Sequence, residues 1–384
     1  MIVGLRKAAV PSLQLGTPAN APYANGNKAA ISPSSTIGAD GTMNSVLDVE
    51  SASGSPVLRI DPAETVHRIA ATVRRQVGGE LRRRGVVVAM SGGIDSSVCA
   101  ALAVHALGPE RVLGLFMPER DSDPTSLSLA LQWAEELRIE HVTEDVTTIL
   151  QGCGCYRRRD AAIRRLIPAY DDTWRCKIVL PGNRLDVDQL NVFRLVVESP
   201  HGATHSVRLP PAEYREIVAA TNFKQRVRKM IEYFHADRLH YAVAGAPNRL
   251  EHDQGFFVKG GDGLADVKPI AHMYKSQVYQ LAEHLHVPNA IICRPPSKDT
   301  YPLSQSQEEF FFSLPVPLMD IMLHAHNSGS PPDDAARLTG LDPQQIQRVY
   351  RDIERKRSTT RYLHMAPLLV EPIREIELGS AERG

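Results

Sequence analysis

The chain has 384 residues, 43% of them hydrophobic and 6% aromatic, with 44 Lys and Arg balanced by 44 Asp and Glu. That is length for one large domain with additions, or for two. A net charge of zero leaves no electrostatic footprint for nucleic acid or an acidic surface, and no apolar run approaches the ~18 residues of a membrane span.

Residues 1–57 are rich in Ser, Pro, Gly, Ala and Asn and carry little periodic apolar content. They are expected to be a disordered extension. Ile2, Val3 and Leu5 precede Arg6 and Lys7, but no continuous apolar stretch follows, so no secretory signal is expected. Asp61-Pro62 reads as a helix start. Val66, Ile69, Ala70, Val73 and Val77 recur at helical spacing, which predicts a helix over 63–83 that Gly85 ends. Its closing Arg82-Arg83-Arg84 is a solvated run favourable to the helix dipole.

The stretch at 86–97, Val-Val-Val-Ala-Met-Ser-Gly-Gly-Ile-Asp-Ser-Ser, organises the rest. Residues 86–90 predict a strand buried on both faces. Ser91, Gly92 and Gly93 make a turn, and Asp95, Ser96 and Ser97 open a helix through Leu107. A strand, a Gly-rich turn and a helix N-terminus form an anion site, because the first turn's N–H groups are unpaired and partly positive. It is not a Walker A loop, since no lysine follows the glycines. A second buried strand is predicted at 112–117, a helix at 124–137 and a third strand at 141–143. The alternation implies a parallel sheet with helices on both faces, and nucleotide at the carboxyl ends of its strands. Met117, ending the second strand, is a candidate neighbour of adenine.

Residues 151–215 break this alternation. Arg157-Arg158-Arg159 opens a short basic helix, and strands are predicted at 177–180, 193–197 and 205–209. This is read as an inserted β-rich subdomain. Cys153-Gly-Cys155 has the wrong spacing for a zinc knuckle and no second pair follows, so no structural metal is expected. The five cysteines, an odd number, fit a reducing compartment better than a disulfide framework, and a cytoplasmic location is expected. Helices are then predicted at 211–218 and, strongly basic, at 223–234. A short strand at 241–244 and a helix at 274–285 follow. The remainder, 301–370, reads as helical, with a helix at 343–357 and a tail from 371. The helix-turn pair at 333–341 is not read as a DNA-binding unit, because the chain is neutral.

Ser91-Gly-Gly-x-Asp-Ser96 resembles the pyrophosphate loop of the ATP pyrophosphatases. Further residues narrow the resemblance: Asn222, Arg226 and Arg228; Gly245 to Glu251; Gly255-Phe-Phe-x-Lys-x-Gly-Asp-Gly-x-Ala-Asp266; Tyr274-Lys275; Pro296-Ser297-x-Asp299; and Arg355-Lys356-Arg357. Over about 64–365 the chain resembles the ammonia-dependent NAD synthetases. The resemblance implies an α/β fold, a doubly wound parallel sheet of the ATP-pyrophosphatase type, with its main domain at 58–150 and 216–300. It implies that a carboxylate, deamido-NAD, is adenylated by ATP with release of pyrophosphate, and that ammonia then forms the amide.

The roles implied are these. Ser91, Gly92, Gly93, Asp95 and Ser96 hold pyrophosphate, Asp95 and Glu251 are hard oxygen ligands for Mg²⁺, and Lys275 and Ser297 meet the phosphates. Asn222, Arg226, Lys259, Asp262 and Asp266 hold the acid, Asp262 being a candidate ligand for substrate or ammonium, and Lys356 and Arg357 close over the site from a mobile tail. The 151–215 insertion is expected to cover the acceptor site and select the acid, leaving the ATP half untouched. The family's two-fold interface implies a homodimer. With no glutaminase domain in the sequence, the ammonia is expected free or from a separate glutaminase. The chain departs from the family at Ala246, Arg355, Lys298 and Gln305, so the adenylation half matches better than the acceptor half. Two other readings stay open: the same chemistry on another carboxylic acid, and a nucleotide-binding protein without catalysis.

Overall fold

The structure is a computed structural model and describes residues 56–180, 193–294, 300–303, 311–312 and 314–373. All of these fall within one compact unit. The expected extension at 1–57 lies almost wholly outside the described residues, as do Ser297 and most of the tail.

Four short strands form a parallel sheet in the order β3-β2-β1-β7: β1 (Val86–Ala89), β2 (Val112–Phe116), β3 (Glu140–Thr143) and β7 (Ala242–Ala244). The run of valines in β1 is continuous because each face meets helices. Val86 and Val88 enter one core with α1 (Pro62–Arg74), α2 (Ile94–Leu107), α3 (Pro124–Glu136) and α8 (Lys275–His284). Val87, pointing the other way, enters a second core with α4 (Thr147–Gly152), α5 (Cys155–Arg164) and α6 (Pro211–Leu239). The sheet is therefore doubly wound.

α1 is shorter than its periodicity suggests. It ends at Arg74 and passes into a π-helical turn over Arg75–Glu80 that contains Gly78 and Gly79, and Arg82 follows at φ 52°. Before α1, Leu58 is buried, and its carbonyl accepts from the Gln280 side chain at 3.1 Å.

A second, antiparallel sheet has the order β4-β5-β6: β4 (Arg175–Val179), β5 (Arg194–Glu198) and β6 (Thr204–Arg208). Its core of Cys176, Ile178, Leu195 and Val197 is separate from those of the parallel sheet. Where two helices are expected at 211–218 and 223–234, one 29-residue helix, α6, runs unbroken. At ~1.5 Å per residue it is about 44 Å long. Ile217 in its first half packs on the β4–β6 sheet, and Val227 and Ile231 in its second half pack on the parallel sheet. The apolar stripe changes partner between the halves, which is why the periodicity lapses near Thr221. That residue's hydroxyl bonds back to the Ile217 carbonyl at 2.5 Å, as helical threonines do.

The C-terminal helices α10 (Val316–Asn327), α11 (Pro332–Thr339) and α12 (Pro343–His364) share a further core with Leu250 and Phe256. Two short helices, α7 (Arg249–Gln254) and α9 (Asn289–Ile292), complete the set among the described residues. None of the described helices is long and apolar enough to cross a membrane.

Candidate active site

A cleft of about 320 Å³ opens at the carboxyl ends of the parallel strands, lined by residues that include Met90, Met117 and Gly245. That is the expected place for a ligand in an open α/β sheet. Its floor is the turn from β1 into α2. Gly92 has φ +73°, and a Cβ there would lie 2.2 Å from the Ser126 carbonyl oxygen, so only glycine lets α3 approach so closely. Ser96 is buried and braces the turn, whereas Ser91 is exposed. Ser96 Oγ donates to the Gly93 carbonyl at 3.0 Å and accepts from the Ser91 N–H at 3.2 Å. Gly93 is the N-cap of α2 and offers no side-chain bond to the first turn. The N-terminus of this 14-residue helix is thus left for an anion.

Asp95, in the first turn of α2, points at two partners. Oδ2 pairs with Lys275 Nζ, and Oδ1 accepts from Asn248 Nδ2 at 3.3 Å. Lys275 is 2% exposed. Burial alone would pull its pKa down, but Asp95 and then Glu251 outweigh it, so the ammonium is held charged well into alkaline pH. Asn248 caps α7 in a reciprocal box with Glu251: the Glu251 N–H donates to Asn248 Oδ1 at 3.1 Å, and Glu251 Oε2 accepts from the Asn248 N–H at 3.3 Å. One buried amide therefore joins Asp95 to the helix that carries Glu251, and both carboxylates line the cleft. Among the described residues no group of three or more His, Cys, Asp or Glu forms a metal cage.

Opposite, α6 contributes the buried pair Lys229 and Glu232, 2.6 Å apart. Burial raises the Glu232 pKa against the pull of Lys229. Arg228 Nε donates to the Met117 carbonyl at 3.1 Å and fastens α6 to the end of β2. Met117 itself lines the cleft while packing into the core beneath it.

The acceptor-side residues are spread more widely. Asp262 lines the cleft, where its carboxylate accepts from the Val258 N–H at 2.6 Å and shapes its own loop. Arg226 reaches the Lys259 carbonyl at 3.3 Å, and Lys259 Nζ donates to the Tyr362 carbonyl at 2.7 Å. Asn222 is half-buried and does not line the cleft. Asp266 belongs to the sheet edge, accepting from the Val243 N–H at 2.7 Å and the Tyr233 hydroxyl at 3.2 Å. Lys356 and Arg357 sit on the 22-residue α12 rather than on a tail. Lys356 donates to the Phe311 carbonyl at 3.0 Å, and Arg357 grips Asp253 through two bonds of 2.8 and 2.7 Å. Ser297 lies outside the described residues. Sequence reasoning missed Asn248 and the Lys229–Glu232 pair. The pair's i, i+3 spacing was a signal for it; the Asn248 bridge had none beyond its place before a short helix.

A glycine turn feeding an uncapped helix, with a lysine–aspartate pair beside it, at the strand ends of a doubly wound sheet is the arrangement expected of an α/β protein of the ATP-pyrophosphatase type. The sequence model described as NAD synthase matches residues 65–161 and 195–361 and passes over 162–194. The NH(3)-dependent NAD(+) synthetase of Rhizobium rhizogenes is 53% identical over 329 residues, 86% of this chain and 99% of the relative. Two solved structures share the fold. The NH3-dependent NAD synthetase of Campylobacter jejuni has TM-score 0.52 and 20% identity, covering 82% of this chain and 100% of its own. The NMN synthetase of Francisella tularensis has TM-score 0.50 and 21% identity, with the same coverages of 82% and 100%. The chain belongs to the NAD synthase family.

Proposed function

We infer that this chain is an ammonia-dependent, AMP-forming ligase that converts deamido-NAD to NAD. The observation that carries the reading is 53% identity along 99% of the Rhizobium rhizogenes synthetase, which spans both halves of the site. The fold alone does not choose the acid, since structures named for NMN and for NAD synthesis resemble this chain about equally. The sequence relatives favour deamido-NAD.

In the reaction a carboxylate oxygen attacks the α phosphorus of ATP, and the bond to the β phosphate breaks to release pyrophosphate. Ammonia then attacks the acyl carbon, the bond to AMP breaks and a proton is lost. Charge develops mostly on the departing pyrophosphate, so fixed positive groups aimed there lower the barrier. The N–H groups of the first turn of α2 and the Lys275 ammonium, held charged well into alkaline pH, fill that role. Asp95 and Glu251 fit Mg²⁺, which takes one or two carboxylates with phosphate oxygens and water rather than a full protein cage. When bound, the ion neutralises phosphate charge. Met117 supports the adenine, Asp262 faces the acid, and Arg226, Lys259 and Asn222 shape the acceptor side. Asp266, Lys356 and Arg357 serve the fold around it.

We also propose a homodimer. Arg226 and Arg228 have partners within the chain, so crowded charge is no argument for it. Its support is apolar: Met230 and Phe234, one turn apart on α6, are 57% and 61% exposed. The test of function is product analysis with ATP, ammonia and a panel of acids. Deamido-NAD should give AMP and pyrophosphate fastest. ADP and phosphate as products, or a faster acid of another class, would overturn the reading.

A further inference from the structure

Lys224 lies in the middle of α6 and is 0% exposed. An ammonium is kept in such a place only where its charge is matched and its protons are bonded. All three protons have acceptors: Glu119 Oε1 at 2.7 Å, Asp121 Oδ2 at 2.8 Å and the Thr300 carbonyl at 2.9 Å. The two carboxylates follow β2 and are shared with α5. The Tyr156 hydroxyl donates to Glu119 at 2.6 Å, and Arg159 Nη1 donates to Asp121 at 2.6 Å. Burial works to raise the Asp121 pKa, but Lys224 and then Arg159 outweigh it and hold the carboxyl far below its usual range.

Thr300 lines the nucleotide cleft. The residues after it leave the cleft and enter the β4–β6 sheet. Tyr301 is 4% exposed in that sheet's core, beside Cys176, Ile178 and Ile217. The Leu303 N–H donates to the Cys176 carbonyl of β4 at 3.2 Å. A segment without regular structure is therefore fixed on both sides, by a charge clamp at Thr300 and by a sheet at 301–303. The inserted sheet, expected to act on the acceptor acid, is bonded to the segment that forms a wall of the cleft.

We propose that Lys224 and Tyr301 are positioning residues for ATP, and that the β4–β6 sheet is the anchor against which they set the Thr300 wall. The proposal rests on the reading of this cleft as the ATP site. Anchoring the wall before ligand arrives removes an ordering cost that binding would otherwise carry.

The test is Lys224→Met in the full chain, with KM measured for ATP and deamido-NAD separately and hydrogen exchange followed over 300–303. ATP KM should rise at least fivefold, deamido-NAD KM should stay within twofold, and exchange at 301–303 should quicken. Tyr301→Leu leaves the charge cluster intact and should give the same split if Lys224→Met fails to fold. A folded variant whose ATP KM is unchanged, or whose deamido-NAD KM moves instead, overturns the proposal. Should the unaltered protein release no AMP from ATP, the functional reading fails, and exchange still judges the anchor. Protection of the Leu303 amide matching that of β4 supports it, and free exchange there in the unaltered protein overturns it.

Discussion

Asp95 neutralises a buried lysine, and in the function proposed above it also offers an oxygen to a magnesium ion. Asp95→Asn should lower kcat by about a hundredfold, the cost of losing one preorganised electrostatic group, with the circular dichroism spectrum unchanged. It should also alter the pH profile. Lys275 stays charged because Asp95 and Glu251 outweigh its burial, so without Asp95 its pKa falls and residual activity is lost at a lower alkaline pH. Initial rates between pH 6 and 10 check both effects, and a near-normal rate would remove Asp95 from the metal-ligand role. At this scale the contiguous part of the site is legible in the sequence. Gly92, Gly93 and Asp95 lie within one turn, and their spacing carries their geometry. Asn248 is not legible, because its bridge to Asp95 spans 153 positions. Lys224 misleads, since in sequence it is one more cation of a basic helix and in the fold it has no exposure at all.

Among the elements, α8 shows how the C-terminal region reaches the site. Its first turn carries Lys275, and the Ser276 N–H and hydroxyl both donate to Asp320 Oδ2 of α10 at 2.7 Å. A carboxylate at a helix N-terminus is favourable, but Asp320 is fully buried and its Oδ1 has no hydrogen-bond partner. Burial pushes its pKa up to about 6 against the bonds from Ser276. The folded state then binds the proton more tightly than the unfolded chain. Stability is lost as pH rises from about 4 to about 6 and stays lower above that. Asp320→Asn mimics the protonated acid, so in urea unfolding it should match the parent near pH 4 and exceed it at pH 8 by up to roughly 3 kcal/mol. A variant weaker than the parent at pH 8 would show the ionised carboxylate to be the stabilising form. Strands and helices with one partner surface, such as β1 and α2, are legible from period alone. α6 is not, because its two halves face different cores.

For the whole molecule, the parallel sheet follows from alternation and handedness, whereas its order β3-β2-β1-β7 is not fixed by them. The separate β4–β6 core follows from strand-like runs that interrupt it. What that second sheet touches depends on residues about 120 positions further on, Tyr301 and Leu303, and no local pattern announces such a contact. Assembly belongs to this scale as well. Two large apolar side chains exposed one turn apart on α6 are the dimer surface proposed above. Phe234→Glu should convert a dimer to a monomer in sedimentation at micromolar concentration, leaving the thermal midpoint of the protomer within a few degrees. A monomeric parent with full activity would dispose of the dimer.

β1, the strand that delivers the glycine turn, pairs on one side with β2 and on the other with β7, Val86 against Ala242. That strand therefore waits for a neighbour made more than 150 residues later. At 5–20 residues per second on a ribosome, that is about ten to thirty seconds. Asp266 and the bridge from Ala244 to Val267 complete β7 later still. During synthesis the glycine turn emerges well before it is seated, and the nascent chain holds an open edge of valines until that neighbour is made.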